Sequence, residues 1–152
     1  MINNKLYKIF GPFSSGIGIV VIIIGIMTLF ENVLIGIIII LIGIFVGFSY
    51  TSTVVDINKK RIRFLNNLFG LIPVGKWVDI KSDMKIGLKR NNKRWRIYSR
   101  SNRKFDLYEK DYLLILYDYN DKVIMPVKKN DNLECAKSEG VGIAEQFGIN
   151  IK

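Results

Sequence analysis

The side chains best suited to chemistry stand in a basic stretch at residues 85–105. It holds nine Lys and Arg residues and no acidic residue. Arginine forks match phosphate geometry, and each basic side chain close to an anionic surface adds about 1 kcal/mol of attraction. This pattern predicts a surface for anionic lipid head groups or an acidic protein partner, and the alternative is a solvated hairpin. The residues predicted to form the surface are Lys89, Arg90, Lys93, Arg94, Arg96, Arg100, Arg103 and Lys104.

Within this stretch, basic and apolar residues alternate. Arg94 and Arg96 alternate with Trp95 and Ile97. Because successive side chains of a strand point to opposite faces, we expect the arginines to face outward and Trp95 and Ile97 to enter a core. Nucleic acid is another ligand for such charge. Since the aromatic side chains are predicted to face inward, nucleic acid is not expected as a partner.

The remaining composition argues against catalysis. The chain has no histidine and a single cysteine, Cys135, which rules out a histidine-dependent triad and a zinc site built from Cys and His. Asp79 and Asp83 form one acidic pair, but they fall in a predicted turn, where Asp is common. No glycine-rich phosphate loop is present. We therefore predict a protein that is not an enzyme, with no catalytic residue, metal site or cofactor.

An almost uncharged run precedes the basic part of the chain. Between residues 9 and 55 the only charged residue is Glu31. About 20 apolar residues, at roughly 1.5 Å each, match the ~30 Å hydrocarbon core of a bilayer. The sequence therefore predicts a transmembrane hairpin with helices near residues 13–30 and 33–50 and with Glu31 and Asn32 at its tip.

Charge on either side of this run predicts its orientation. Lys5 and Lys8 precede it, and residues 51–152 hold 21 Lys and Arg against 12 Asp and Glu. Basic residues near the ends of a span mark the cytoplasmic side. We therefore expect both termini in the cytoplasm. The predicted organisation is an N-terminal cytoplasmic segment at 1–12, a transmembrane hairpin at 13–50 and a cytoplasmic domain at 51–152.

Glycines recur along the two predicted helices at regular spacing. Small residues let two helices approach closely, and a period near 3.5 keeps them on one face. Our hypothesis is that one pair of glycines faces another pair inside the hairpin, while Gly47 serves a contact between protomers. The alternative is that glycine is common in membrane helices and the spacing is partly chance. The residues concerned are Gly18, Gly25, Gly36, Gly43 and Gly47.

After residue 51 the pattern changes to short alternating segments separated by turn residues, which predicts about seven antiparallel strands. A helix then closes the chain. Asp131 and Glu134 form a capping-box-like pair at its start, and Gly148 is placed to end it, with Ile149 packing back. Its apolar face consists of Leu133, Ala136, Gly140, Ile143, Ala144 and Phe147.

Four segments carry a resemblance: residues 54–57 (VVDI), 58–60 (NKK), 61–65 (RIRFL) and 75–80 (GKWVDI). With the element order, they resemble small bacterial membrane proteins in which a pleckstrin-homology-like domain follows two spans. The resemblance implies an α+β membrane protein, with a two-helix transmembrane hairpin followed by an antiparallel β-barrel or sandwich of about seven strands capped by a C-terminal helix. It also implies a multi-pass protein of the bacterial cytoplasmic membrane.

Two functional hypotheses follow from these predictions. The first is a membrane-anchored, non-enzymatic binding or scaffolding module at the cytoplasmic face, whose basic hairpin contacts anionic lipid or an acidic protein. The second is an accessory subunit of a larger membrane complex that acts through its glycine-lined hairpin. The expected partners are the membrane, anionic lipid head groups, and a protein partner or further copies of the chain.

Overall fold

The computed structural model describes residues 1–98 and 104–152, with side chains described for residues 1–92 and 110–152. Within these residues the chain forms three helices and nine strands in two sheets. The first sheet has the order β1-β2-β3-β4, with β5 also paired to β3, and the second has the order β8-β7-β6-β9. The elements are β1 (Ile2–Lys8), α1 (Ser14–Leu29), α2 (Val33–Phe48), β2 (Tyr50–Asp56), β3 (Arg61–Leu68), β4 (Ile72–Val74), β5 (Trp77–Asp79), β6 (Lys85–Tyr98), β7 (Lys104–Tyr117), β8 (Val123–Asn130), α3 (Leu133–Phe147) and β9 (Asn150–Ile151).

The helical hairpin is present, but its helices are shorter than predicted. Each has 16 residues, and α2 ends at Phe48 because Ser49 is already extended and leads into β2. Such helices are about 24 Å long, which is less than the ~30 Å hydrocarbon core. None of the helices in the described part of the chain has the length and apolar character needed to span a bilayer.

This finding overturns every prediction that depended on a span. The transmembrane hairpin is wrong, and so are the multi-pass location in a bacterial cytoplasmic membrane and the cytoplasmic placement of both termini. The membrane-anchored scaffolding module and the accessory subunit acting through a transmembrane hairpin are wrong for the same reason. The sequence-based error was to extend the helices to residues 30 and 50, although α1 ends at Leu29, α2 ends at Phe48 and Tyr50 already belongs to β2.

The predicted pleckstrin-homology-like barrel or sandwich is also wrong, although the α+β class and the C-terminal helix are present. A strand, β1, precedes the hairpin and pairs with β2, so the first sheet combines residues from both sides of the helices. The remaining strands form a separate four-stranded sheet. β1 escaped prediction because it has little apolar alternation, with Leu6 its only buried residue.

The chain divides into two compact units. Unit 1 consists of residues 1–4, 53–63 and 77–152, and unit 2 consists of residues 5–52 and 64–76. Each unit therefore contains segments that are distant in sequence, and the strands β1, β2 and β3 each contribute residues to both.

Unit 1 has a conventional core. Ile86, Leu114, Leu116 and Val127, from β6, β7 and β8, are almost completely buried. Helix α3 closes the core with small residues, so that a Cβ added at Gly140 would lie 3.0 Å from Leu114 Cδ2. Close approach of the helix to the sheet therefore depends on the missing side chain at this position.

Both ends of α3 are capped. The side chain of Asn132 accepts a hydrogen bond from Glu134 N at 3.0 Å, so the cap lies one residue after the predicted Asp131. At the other end Gly148 adopts the left-handed conformation, with φ of 68°. Its N–H donates to Glu145 O, and Ile149 N donates to Ala144 O, which is the pair of bonds that defines a Schellman end.

Unit 2 holds the helical hairpin and short parts of three strands. Asn32 caps α2 by accepting a hydrogen bond from Ile35 N at 3.3 Å. In the strands, the buried Asn67 side chain donates to Ser52 Oγ at 2.8 Å. An aromatic cluster of Phe10, Phe45 and Phe69, with ring centroids 5.4 and 5.1 Å apart, packs beside α2.

Candidate interaction surface on the helical hairpin

The contact between α1 and α2 is lined by glycine. A Cβ added at Gly18 would lie 2.7 Å from Gly43 O, and one at Gly25 would lie 2.9 Å from Ile40 N. Gly36 is equally tight against Leu29, and Gly47 lies against Gly18 within the same hairpin. Because real Cβ atoms do not approach backbone this closely, the two helices are in contact at a distance that only glycine allows.

Glycine on the inside leaves the branched side chains outside. Fourteen aliphatic side chains of the two helices are between 46% and 74% exposed. We call these residues the hairpin face. They are Ile17, Ile19, Val20, Ile23, Ile24, Ile26 and Met27 of α1, and Val33, Leu34, Ile35, Ile37, Ile38, Leu41 and Ile42 of α2.

The hairpin face is too large to be an ordinary surface feature. Fourteen half-exposed aliphatic side chains leave on the order of 1,000 Å² uncovered, whereas the largest apolar patch of a typical monomer is about 300–600 Å². Helices that are apolar on all sides are normally buried. The hairpin face is therefore the feature of this protein that most requires a partner.

Two hydroxyl groups of the hairpin are bonded to backbone within it and add little polarity to the hairpin face. Thr28 Oγ1 donates to Ile24 O of its own helix at 2.9 Å, and Ser15 Oγ donates to Gly47 O at 3.1 Å. Ser14 Oγ is buried and has no hydrogen-bond partner among the described residues. Neither helix contains a charged residue. A partner would meet an almost purely apolar surface.

The basic residues singled out from the sequence lie on β6 and β7 or between them. Lys89 and Arg90 are exposed on β6. Lys93, Arg94, Arg96 and Lys104 lie on the two strands, but their side chains are outside the described residues, as Arg100 and Arg103 are altogether. The backbone register places Asp106 opposite Arg96 and Glu109 opposite Lys93. Binding of lipid or an acidic partner by this stretch stays a prediction.

The strand segments around Asp56 have a structural role. Asp56 Oδ1 accepts a hydrogen bond from Lys59 N at 3.3 Å, and Asp56 Oδ2 pairs with Arg61 Nε at 3.4 Å, which fixes the turn between β2 and β3. The Arg61 guanidinium then stacks 4.2 Å from the Trp77 ring centroid. Asp56, Arg61 and Trp77 therefore have structural partners in one another within unit 1.

Two carboxyl groups have shifted pKa values, and both belong to ion pairs. Burial alone would raise the pKa of Glu139, but hydrogen bonds from Lys128 at 2.6 Å and Asn130 at 2.7 Å outweigh it and lower the pKa. Hydrogen bonds from Lys152 and Lys85 lower the pKa of Asp121. Neither carboxyl is held neutral, as a general acid would be. In the described part of the chain, no three His, Cys, Asp or Glu residues cluster as metal ligands would.

Comparison with known proteins identifies no relative. No family model matches the chain, and no curated protein or solved structure matches it. The resemblance to bacterial membrane proteins with a pleckstrin-homology-like domain is therefore wrong, since neither a matching family nor a spanning helix supports it. The residues that carried it are explained by the turn at Asp56 and the stacking on Trp77.

Proposed function

We propose that this protein is a non-enzymatic assembly module whose copies associate through the hairpin face. The observation that carries the proposal is the hairpin itself, in which glycines form the inner contact and fourteen aliphatic side chains stand outside. Exposed apolar surface of this extent favours association by the hydrophobic effect.

The area is sufficient for a specific contact. A stable interface of standard size buries about 800 Å² on each partner. The hairpin face offers on the order of 1,000 Å² in total, which is comparable with this area. Two hairpins packed in this way would form a bundle of four helices.

The absence of charge on the hairpin face permits a second copy as the occupant. The chain carries a net charge of +10, so two copies repel each other over most of their surfaces. A symmetric contact places each patch against itself, and like charges in the patch would oppose one another. The hairpin face contains no charge, so a symmetric contact there places no like charges against one another.

Binding without catalysis agrees with the chemistry of the chain. It has no histidine, and its cysteine, Cys135, is exposed. The two shifted carboxyl groups, Glu139 and Asp121, already hold basic partners. These features support an assembly role.

The test is the molar mass of the full chain in detergent-free buffer, measured by sedimentation velocity over a wide concentration range. We expect oligomers that dissociate on dilution. The double variant Ile23→Gln, Ile38→Gln places two polar side chains on the hairpin face, at positions 49% and 57% exposed. It should shift the dissociation midpoint upward by about a hundred-fold, since buried apolar side chains contribute about 1.5–3 kcal/mol each.

The matched control is Val141→Gln, which removes an apolar side chain that is 41% exposed on α3. Its dissociation midpoint should equal that of the unmodified chain. A monomer at every concentration would overturn the proposal. So would oligomers that resist the hairpin variant, or a chain that stays monomeric and instead floats with phosphatidylcholine vesicles.

A further inference from the structure

A second site lies within unit 2, where β1 and β2 meet the ends of the two helices. It is a cleft of about 500 Å³. Its lining includes the polar residues Lys5, Lys8, Ser15 and Tyr50, and Leu6 and Phe48 supply apolar lining that we call the apolar wall. Ligand sites usually have volumes of about 300–1,000 Å³ and combine an apolar lining with a few polar groups, so the cleft has the size and composition of one.

The cleft carries positive charge that lacks an acidic counterpart. No acidic residue lines it. Lys8 Nζ contacts Ser15 Oγ, and Lys5 Nζ lies 5.0 Å from the centroid of the Tyr50 ring. Across the described residues, neither ammonium group forms an ion pair with a carboxylate. Two exposed lysines therefore border the same cleft without a carboxylate partner.

Hydrogen bonds anchor the strand that carries the lysines. Thr51 Oγ1 accepts a hydrogen bond from Tyr7 N at 3.2 Å and donates one to Tyr7 O at 3.1 Å. These two hydrogen bonds to the Tyr7 backbone fix β1 against β2 at a position between Lys5 and Lys8 in the chain. Ser15 is fixed in turn by its bond to Gly47 O. The cationic side of the cleft is thus built on anchored backbone.

The apolar wall is partly open. The Phe48 side chain is 52% exposed at the end of α2, whereas Leu6 is buried. A small inorganic anion would leave this wall in contact with water. A ligand with both an anionic group and an apolar part would cover it.

We propose that the cleft binds an organic phosphate ester, with the phosphate held by the lysines that line it and an apolar group against Phe48. Lysine binds phosphate as a point charge, and Ser15 supplies a hydroxyl beside it. Two sources share this chemistry: an amphiphilic phosphate ester and free phosphate. The apolar wall favours the ester.

Calorimetric titration of the full chain with monomeric dihexanoyl phosphatidic acid tests the proposal. We expect binding that weakens as salt is raised. The double variant Lys5→Gln, Lys8→Gln should bind at least about ten-fold more weakly, because each lysine supplies a charge-assisted contact. The matched control Lys81→Gln, Lys122→Gln removes the same charge from exposed sites of unit 1 and should bind as the unmodified chain does.

Three further variants guard against a folding defect and separate this proposal from the assembly proposal. Lys5→Arg, Lys8→Arg keeps the charge and should keep binding. Lys5→Gln alone leaves the Lys8–Ser15 contact intact and should still weaken binding. Ile23→Gln, Ile38→Gln should bind dihexanoyl phosphatidic acid normally. A failure of the ligand proposal can therefore be distinguished from a failure of the assembly proposal.

Several results would overturn the proposal. Inorganic phosphate binding as tightly as the ester would remove the role of the apolar wall. Dihexanoyl phosphatidylcholine binding as tightly would remove the preference for an anion. Unchanged affinity in the folded double glutamine variant would show that the lysines do not bind the phosphate.

Discussion

Helix α3 and the helices α1 and α2 place their side chains in opposite ways. In α3 the buried residues are Ala136, Gly140, Ala144 and Phe147, and the exposed side is largely polar. In the hairpin glycines are buried, and isoleucine, leucine and valine are exposed. Helix α3 buries its apolar face and exposes polar residues, as a helix of a protein in water does, whereas the hairpin leaves its largest apolar surface uncovered.

The difference shows that close packing and apolar burial are separable. The hairpin is held by backbone approach, since Gly18, Gly25, Gly36 and Gly43 leave no room for a side chain between the helices. Helix α3 is held by burial of its apolar face against the sheet. A change of volume should therefore act in opposite directions in the two regions, with loss of volume harmful in one and gain of volume harmful in the other.

The largest expected effect is in unit 1. Leu114→Ala would remove a side chain that is 1% exposed and that contacts Gly140 of α3. We expect a loss of about 2–5 kcal/mol in the free energy of unfolding, measured by urea denaturation. A loss below about 1 kcal/mol would mean that α3 does not depend on this core.

A single added methyl group tests the hairpin. In Gly18→Ala the new Cβ would meet the backbone of Gly47 and lie 2.7 Å from Gly43 O. The helices must then separate, and we expect a loss of about 1–3 kcal/mol in the same denaturation experiment.

Gly16 provides the control on the same helix. Nothing lies within 4 Å of a Cβ at this position, so Gly16→Ala adds the same methyl group in open space. It should raise the free energy of unfolding by about 0.5–1 kcal/mol through helix propensity. Equal effects of the two changes would contradict packing through glycine.

The smallest expected effect concerns the polar side of α3. The pKa of Glu139 is lowered by Lys128 and Asn130, so the carboxylate stabilises the folded state when ionised. This contribution is present above the ordinary glutamate pKa and is lost as the pH falls through the lower folded pKa. Because the side chain is 37% exposed, we expect Glu139→Gln to cost only about 0.2–1 kcal/mol at neutral pH.

Melting temperatures between about pH 7 and about pH 3 measure this effect. The difference between Glu139→Gln and the unmodified chain should shrink on acidification. Glu145→Gln, an exposed change on the same helix, serves as the control and should show no such trend. A difference that grows toward acid would reverse the sign of the proposed linkage.

The local patterns of the helices were predictable from the sequence. The tip at Glu31 and Asn32, the helix α3 and its end at Gly148 were all recognisable, because uncharged runs, helical spacing and a glycine stop are local features. The exact helix ends were not, since the uncharged run continues from α2 into β2 and hydropathy does not mark the residue where the helix ends.

Pairing over long distances overrode local turn preference at Asn91. Asn91 and Asn92 are of a residue type that favours turns, yet both lie inside the continuous strand β6. Asn91 pairs with Asp111 in β7, and its side chain donates to Asp111 Oδ1 at 3.3 Å. Asp111 is itself buried and pairs with Lys129. The partners that stabilise Asn91 in a strand are distant in sequence, so its surroundings in the chain could not reveal them.

The cleft was missed for a related reason. Lys5 and Lys8 were considered only as markers of orientation, since β1 has weak apolar alternation. Their proximity to Ser15 and Tyr50 arises because β1 pairs with β2, on the far side of the hairpin in sequence. Only the pairing of these strands brings the two lysines to one cleft.

The interleaving of the two units has a consequence for folding during synthesis. Helices α1 and α2 are adjacent in sequence, so they can pair as soon as residue 48 has left the ribosome. Unit 1 must wait much longer, because β9 pairs with β6 and the unit extends to residue 152. A nascent chain therefore presents its apolar hairpin before the basic unit is complete. Chains growing side by side on one messenger would meet through that hairpin first, and assembly would begin before release.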